Sequence, residues 1–267
     1  MTTHSTTTMP TLFISHGAPT LASDASEAHR FLREYGKSLG KPQAIVVLSA
    51  HFLAPVATVT SGEKPQTIHD FGGFPAPLYE IVYPAPGDPA LAETVTEMLA
   101  AGGLPAHADP ERGFDHGAWV PLMLMYPDAD VPVVQLSIDP SQPPEYHYQL
   151  GELLRPLREQ GVLIIGSGGA THNLRAFFHA QDGDPAPDWV SAFADWLTDA
   201  VLNDRRDDLI HYRERAPHAS RNHPTEEHYL PLLSAIGATN PGERHERIHT
   251  SLAYGVLTMD AYRFGAT

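Results

Sequence analysis

The sequence predicts an α/β fold: a single domain with a central, mostly parallel or mixed sheet flanked by helices, and a metal site at the C-terminal ends of its strands. Three observations predict it. Apolar runs rich in β-branched and large aliphatic residues recur along the chain, bounded by Gly, Ser or Pro, as strands buried on both faces do. Segments with apolar residues at helical spacing lie between them. Three of the runs end on a histidine: Thr11-Leu-Phe-Ile-Ser-His16, Ala44-Ile-Val-Val-Leu-Ser-Ala-His51 and Val162-Leu-Ile-Ile-Gly-Ser-Gly-Gly-Ala-Thr-His172. Ligands of open α/β sheets bind beyond the carboxyl ends of the strands, so these imidazoles can meet in one crevice, and gathered imidazoles suggest a divalent metal.

Taken in order, residues 1–10 read as a short flexible tail and residues 11–267 as one domain. The first strand, from Thr11, is followed by a helix over Ser26–Leu39, with Ala28, Phe31, Leu32, Tyr35 and Leu39 on one face and Gly40 as its stop. The strand Ala44–Ser49 completes a βαβ start. Val56–Thr60 alternates and reads as an edge strand. Thr67–Tyr79 is a loop rich in aromatics, Gly and Pro, of the length that is often functional. Pro89–Ala101 reads as a helix ended by Gly102-Gly103 and Val131–Ile138 as a buried strand. Glu145–Gln160 reads as a helix with Pro156 awkwardly inside it. The strand Val162–Gly166 leads to His172. Pro187–Leu202 and His228–Ile236 read as helices, and Ser251–Tyr262 as a last strand.

Composition narrows the function classes. The formal net charge of −15 argues against a nucleic-acid backbone or an anionic membrane as partner. The absence of cysteine excludes disulfides, thiolate–zinc sites and cysteine-held iron–sulfur clusters. No apolar run approaches the roughly 20 residues that span a bilayer. Without an export signal, the expected compartment is the cytoplasm. Of the 16 histidines, His4, His211, His218 and His245 lie in polar or charged stretches and read as solvated.

The remaining histidines are candidates for chemistry. His16 sits in Ser15-His16-Gly17, where the glycine lets the chain turn sharply. His51 follows its strand in the same way. Either alone is more often a hydrogen-bonded structural residue; two placed alike in one βαβ unit make ligation as good a reading. The small residues before His172 admit the close approach of another group, and no GxGxxG or P-loop lysine is present to support a nucleotide site. His116 lies in the turn-forming stretch Gly113-Phe-Asp-His-Gly-Ala-Trp119, where Asp115 either makes a local Asx turn or His116 contacts substrate. In His223-Pro-Thr-Glu-Glu-His228, Thr225 caps a helix whose first turn carries Glu226 and Glu227, and His228 points inward. In the aromatic loop, Phe71 supplies stacking surface and His69 a contact for a substrate carboxylate. His223 is grouped with these two as a substrate-binding residue.

Six ordered motifs carry a resemblance. Ser15-His-Gly-Ala-Pro19, Ser49-Ala-His51, Thr67-Ile-His-Asp-Phe-Gly-Gly-Phe-Pro75, Gly113-Phe-Asp-His-Gly-Ala-Trp119, Gly166-Ser-Gly-Gly-Ala-Thr-His-Asn-Leu174 and Pro224-Thr-Glu-Glu-His-Tyr-Leu-Pro-Leu232 together resemble the class III extradiol ring-cleavage dioxygenases, in the DOPA 4,5-dioxygenase-like subgroup. The resemblance implies a mononuclear non-haem Fe(II) centre, with Zn(II) occupying it in some isolated relatives. Matched by motif, His16, His51 and His228 are the metal ligands. His172 is the acid/base histidine, close enough to serve as a fourth ligand at rest, and His116 is a substrate-side histidine. The implied partners are a small-molecule catechol and O2, with no nucleic acid and no membrane, and the expected assembly is a monomer or small homo-oligomer. Two other readings use the same histidines: a zinc-dependent hydrolase with His172 or Glu227 as base, and a non-catalytic metal-binding relative.

Overall fold

The computed structural model describes residues 8–266. The tail expected over residues 1–10 falls mostly outside them, as does His4. Met9 is tied down, its N–H donating to the Arg158 carbonyl and its carbonyl accepting from Arg158 Nε. Among the described residues ten strands form: β1 (Thr11–Ser15), β2 (Ala44–Leu53), β3 (Ala57–Thr60), β4 (Ala106–Asp109), β5 (Val133–Ile138), β6 (Val162–Gly168), β7 (Arg244–His249), β8 (Leu252–Ala253), β9 (Leu257–Thr258) and β10 (Ala261–Ala266). Eight of them make one mixed sheet in the order β4-β3-β5-β2-β6-β1-β10-β7. Its middle, β5-β2-β6-β1, is parallel throughout. The C-terminal ends of β1, β2 and β6 therefore lie side by side, and these are the ends that carry His16, His51 and His172.

Side chains alternate across the central strands and give each face its own core. Leu12, Ile14, Ile45, Val47, Leu163 and Ile165 pack beneath the helices Glu27–Leu39 and His116–Met125. Phe13, Val46, Leu48 and Ile164 pack on the opposite face under Pro89–Ala101, Pro144–Leu154, Asp188–Leu202 and Leu230–Gly237. Ser26 caps the first helix by accepting from the His29 N–H, and Gly40 leaves it at φ +80°, a stop that suits glycine.

Several sequence expectations need correction. Residues 57–60 are not an edge strand, because β4 pairs on their outer side. The helix expected to reach Gln160 ends at Leu154, and the chain continues as a 3-10 turn, Arg155–Gln160, with Pro156 near its start where the missing N–H costs nothing. Residues 251–262 are not one strand. They make the small β8–β9 hairpin, turned at Tyr254 and Gly255 with φ of +50° and +67°, and then enter β10. His245 is buried, not solvated: its Nε2 lies 3.0 Å from Asp204 Oδ1 and its ring packs on Phe264.

The glycines of β6 serve the fold. A Cβ on Gly166 would sit 2.1 Å from the Pro231 carbonyl oxygen, and one on Gly168 would sit 2.1 Å from that of His228. The chain entering the helix Leu230–Gly237 thus lies directly on the strand backbone, and the Gly169 N–H donates to the His228 carbonyl. Gly168→Ala is expected to push His228 outward and cost about 1–3 kcal/mol by overpacking. In a domain of this size each kcal/mol lowers Tm by roughly 2–4 °C. Thermal melts, with metal content measured on the same protein, check both effects.

Candidate metal centre

His16, His51 and His228 offer ring nitrogens that all lie within 4.8 Å of one another. Three elements bring them together. His16 leaves β1 with its N–H on the Gly168 carbonyl, His51 lies within β2, and His228 is seated on β6 by its backbone. The Nε2 atoms of His16 and His51 are 3.0 Å apart. Imidazole nitrogens bound to one ion at about 2.0–2.1 Å are separated by roughly 2.9–3.4 Å. The spacing is that of neighbouring ligands on a shared cation.

Hydrogen bonds at the far side of the His16 and His228 rings, and a carboxylate near that of His51, prepare them for ligation. Ser167 Oγ donates to the Gly117 carbonyl, which commits its only proton. It must therefore accept from His16 Nδ1, 2.9 Å away, so His16 carries its proton on Nδ1 and presents a bare lone pair on Nε2. His228 Nδ1 faces Glu227 Oε1 at 3.1 Å, and His51 Nδ1 faces Asp70 Oδ2 at 3.6 Å. A carboxylate only accepts, so each favours the same tautomer. Burial first, and then the neighbouring imidazoles, push His16 and His228 well below the usual histidine range and His51 down to about 3. Neutral imidazoles with their lone pairs turned inward are the donor set a divalent transition metal takes. The residues fit a metal.

His116 and His172 complete the cluster. His116 opens the helix His116–Met125, which Asp115 caps by accepting from the Ala118 N–H. Asp115 is fully buried and also accepts from Ser49 Oγ (2.6 Å) and Gln135 Nε2. Asp115 thus caps a helix rather than closing a local Asx turn, and it ties the start of that helix, where His116 stands, to Ser49 of β2. Asp70 Oδ1 accepts from the backbone N–H and from Nδ1 of His116, each at 2.9 Å. Burial opposes its ionisation, but the hydrogen bonds from His116 outweigh that and hold Asp70 down at about 2. His172 stacks on His228 with ring centroids 3.4 Å apart and planes 8° from parallel. Its ring is grouped with Glu227 and His228, not with His16 and His51. Burial lowers it to about 4, against the pull of Glu227, so it is neutral.

These side chains line one wall of a cavity of about 850 Å³, which also takes in Phe71 and Phe74 of the aromatic loop. Two expected substrate contacts do not reach it. His69 turns its Nε2 onto the Ile81 carbonyl at 2.9 Å and packs against Trp119 and Tyr79, supporting the loop from behind. His223 is fully buried among Phe193, Tyr212 and Tyr229, with Nε2 donating to the Ala170 carbonyl. It braces the turn that leads to His172. Sequence reasoning missed Asp70 and Ser167, which orient the ring nitrogens.

The geometry has a matching relationship to known proteins. Residues 1–265 match the family model described as the catalytic LigB subunit of aromatic ring-opening dioxygenase. The chain is 43% identical to the 4,5-DOPA dioxygenase extradiol of Beta vulgaris, over 96% of this chain and 97% of the relative. It is 41% identical to the protein of that name from Escherichia coli K12, over 98% of this chain and 96% of the relative. A crystal structure of an uncharacterized Escherichia coli K12 protein superposes with a TM-score of 0.80 at 37% identity, covering 96% of this chain and all (100%) of that one. A family match along nearly the whole chain, joined to a converged histidine cluster at the strand ends, places this protein in the aromatic ring-opening dioxygenase family of the LigB catalytic subunit.

Proposed function

We propose that this chain is an extradiol dioxygenase that opens the ring of a catechol, DOPA-like or otherwise substituted, at one Fe(II) held by His16, His51 and His228. The observation that carries the reading is the 3.0 Å approach of the His16 and His51 Nε2 atoms, with the His16 lone pair freed by Ser167. Bound iron(II) supplies the redox coupling between catechol and O2 that ring opening needs. The protein supplies proton transfer and orientation. His172, neutral and facing the cavity, accepts a proton from the diol and returns it as the ring opens. His116 is held by Asp70 through Nδ1, which leaves Nε2 to hydrogen-bond a substrate oxygen. Phe71 and Phe74 flank the ring and exclude water.

The test is reconstitution with Fe(II) without oxygen, addition of catechol, then air. The expected result is a yellow ring-opened product with one O2 consumed per catechol. Turnover of an ester with zinc, indifferent to oxygen, would instead establish a hydrolase.

Asp70 supplies a further prediction. It touches His116 and faces His51, so Asp70→Asn loosens both rings without removing a ligand. Groups that orient ligands in this way typically contribute about 10–100-fold in metal affinity or activity. The variant is expected to lose that much in kcat/KM at saturating iron, with wild-type circular dichroism. Steady-state kinetics with metal analysis check it.

A further inference from the structure

Asp115 is fully buried and is not among the side chains that line the cavity. Its Oδ1 accepts from Ser49 Oγ at 2.6 Å and from the Ala118 N–H at 3.3 Å; its Oδ2 accepts from Gln135 Nε2 and, at 3.3 Å, from Arg112 Nη2. Every one of these partners is a donor, as an ionised carboxylate requires. Burial pushes the carboxyl up, and the hydrogen bonds from Ser49 and Gln135 pull against it. We infer, resting on the dioxygenase reading, that Asp115 is a positioning residue of the metal centre: through the first turn of the helix His116–Met125 it sets the spacing of His16, His51 and His116 together.

The path to His51 is the shortest. Ser49 Oγ, its proton committed to Asp115, accepts from the His51 N–H at 3.1 Å. Arg112 lies over the Phe52 ring, 4.1 Å from its centroid, and its Nη2 is 3.3 Å from both the His51 carbonyl and Asp115 Oδ2. Both backbone polar groups of His51 are thus tied to one carboxylate. His116 follows Asp115 directly, as the first residue of the helix it caps. His16 is reached through Gly117. The Gly117 carbonyl accepts from Ser167 Oγ, which leaves Ser167 to accept from His16 Nδ1 at 2.9 Å. Gly117 also sets how closely the turn approaches β2. A Cβ there would fall against Ser49 Oγ and 3.1 Å from His51 Cδ2, the carbon bonded to the nitrogen proposed to ligate.

Loss of a helix cap lowers stability alone, whereas a carboxylate that spaces ligands also changes how they bind an ion. The contact with Gln135 lets the two roles be separated, because its donor and acceptor can be exchanged.

The test uses the full chain and measures Zn(II) affinity by chelator competition and the visible spectrum of the Co(II)-loaded protein. Asp115→Asn sets one amide NH2 against another and is expected to weaken Zn(II) binding about 10–100-fold and to shift the Co(II) bands. Gly117→Ala keeps the carboxylate and should do the same by pressing on His51. Asp115→Asn joined to Gln135→Glu exchanges donor and acceptor and should recover most of both losses. Leu197→Ala, in the core on the opposite face of the sheet, should lower the melting temperature and leave affinity and bands as in the wild type. Unchanged affinity and bands in Asp115→Asn or Gly117→Ala overturn the inference. So does a Leu197→Ala protein whose metal binding weakens equally, or an exchanged pair that regains melting temperature without affinity. Should Asp115→Asn not fold, Gly117→Ala decides. Failure of the dioxygenase reading looks different: wild-type protein would bind these metals yet consume no O2 with Fe(II) and catechol.

Discussion

His51→Ala is expected to yield a protein that folds, retains almost no iron after reconstitution and opens no catechol. The reasons lie in the spacing of the ring nitrogens. His51 Nε2 lies 3.0 Å from His16 Nε2, the spacing of two ligands on one ion. The neighbouring His116 ring is close, 3.9 Å between centroids, yet its Nδ1 is committed to Asp70, which holds the ring in place. It cannot swing into the vacated position without breaking the hydrogen bond from Nδ1 to that carboxylate. Losing the metal removes the coupling between catechol and O2, so the whole rate enhancement goes, about 10⁶-fold or more for an enzyme. Folding is affected far less. The His51 ring rests on other imidazoles at the cavity wall, and such sites away from the apolar core tolerate truncation within about 1–2 kcal/mol. Metal analysis and melting of the metal-free proteins separate the two effects. Normal iron content in the variant would take His51 out of the ligand set.

The parts of this centre that were legible in the sequence are those that follow from strand direction. Runs such as Ala44–Leu48 announce a buried parallel strand, parallel strands share a C-terminal end, and a histidine placed there must face the crevice. His16, His51 and His172 were found in this way. The groups that orient them left no comparable signal. Asp70 reaches His116 across 46 positions, and Ser167 reaches His16 across 151; only the folded sheet sets those distances. The helix His116–Met125 is not legible beyond the turn-forming stretch Gly113–Trp119 because it is buried nearly all round, which erases the helical period, and because Pro121 stands inside it. The charged edge strand β7, Arg-His-Glu-Arg-Ile-His, has no apolar face long enough to show alternation. His69 and His223 illustrate a different limit. Each stands in a motif beside site residues, but backbone position does not state side-chain direction, and both rings turn to carbonyl acceptors away from the cavity.

His172→Ala is expected to keep its iron and lose about 10²–10⁴-fold in kcat, the usual contribution of a positioned acid/base group. The stacking geometry argues for that division of labour. With its plane 8° from that of His228 and the ring centroids 3.4 Å apart, the His172 ring runs alongside the proposed ligand. A metal held by His16, His51 and His228 would leave His172 free to take a proton from substrate in the cavity that its side chain lines. Its ring nitrogen is not in the mutual 4.8 Å group of His16, His51 and His228, which is what a fourth ligand would require. Burial keeps His172 neutral, and a nearby dication would oppose its protonation further, which suits the proposed role of base. The backbone holds it there: the His172 N–H donates to the Asn222 carbonyl, and His223 braces the adjoining turn through Ala170. Truncating the ring therefore leaves the scaffold and the ligands in place. Small imidazoles added to the Ala variant should restore part of the lost kcat, because the vacated space opens on the cavity and the missing function is proton transfer alone. A variant that loses its iron, or that no added base revives, would show that His172 acts on the metal and not on the substrate proton.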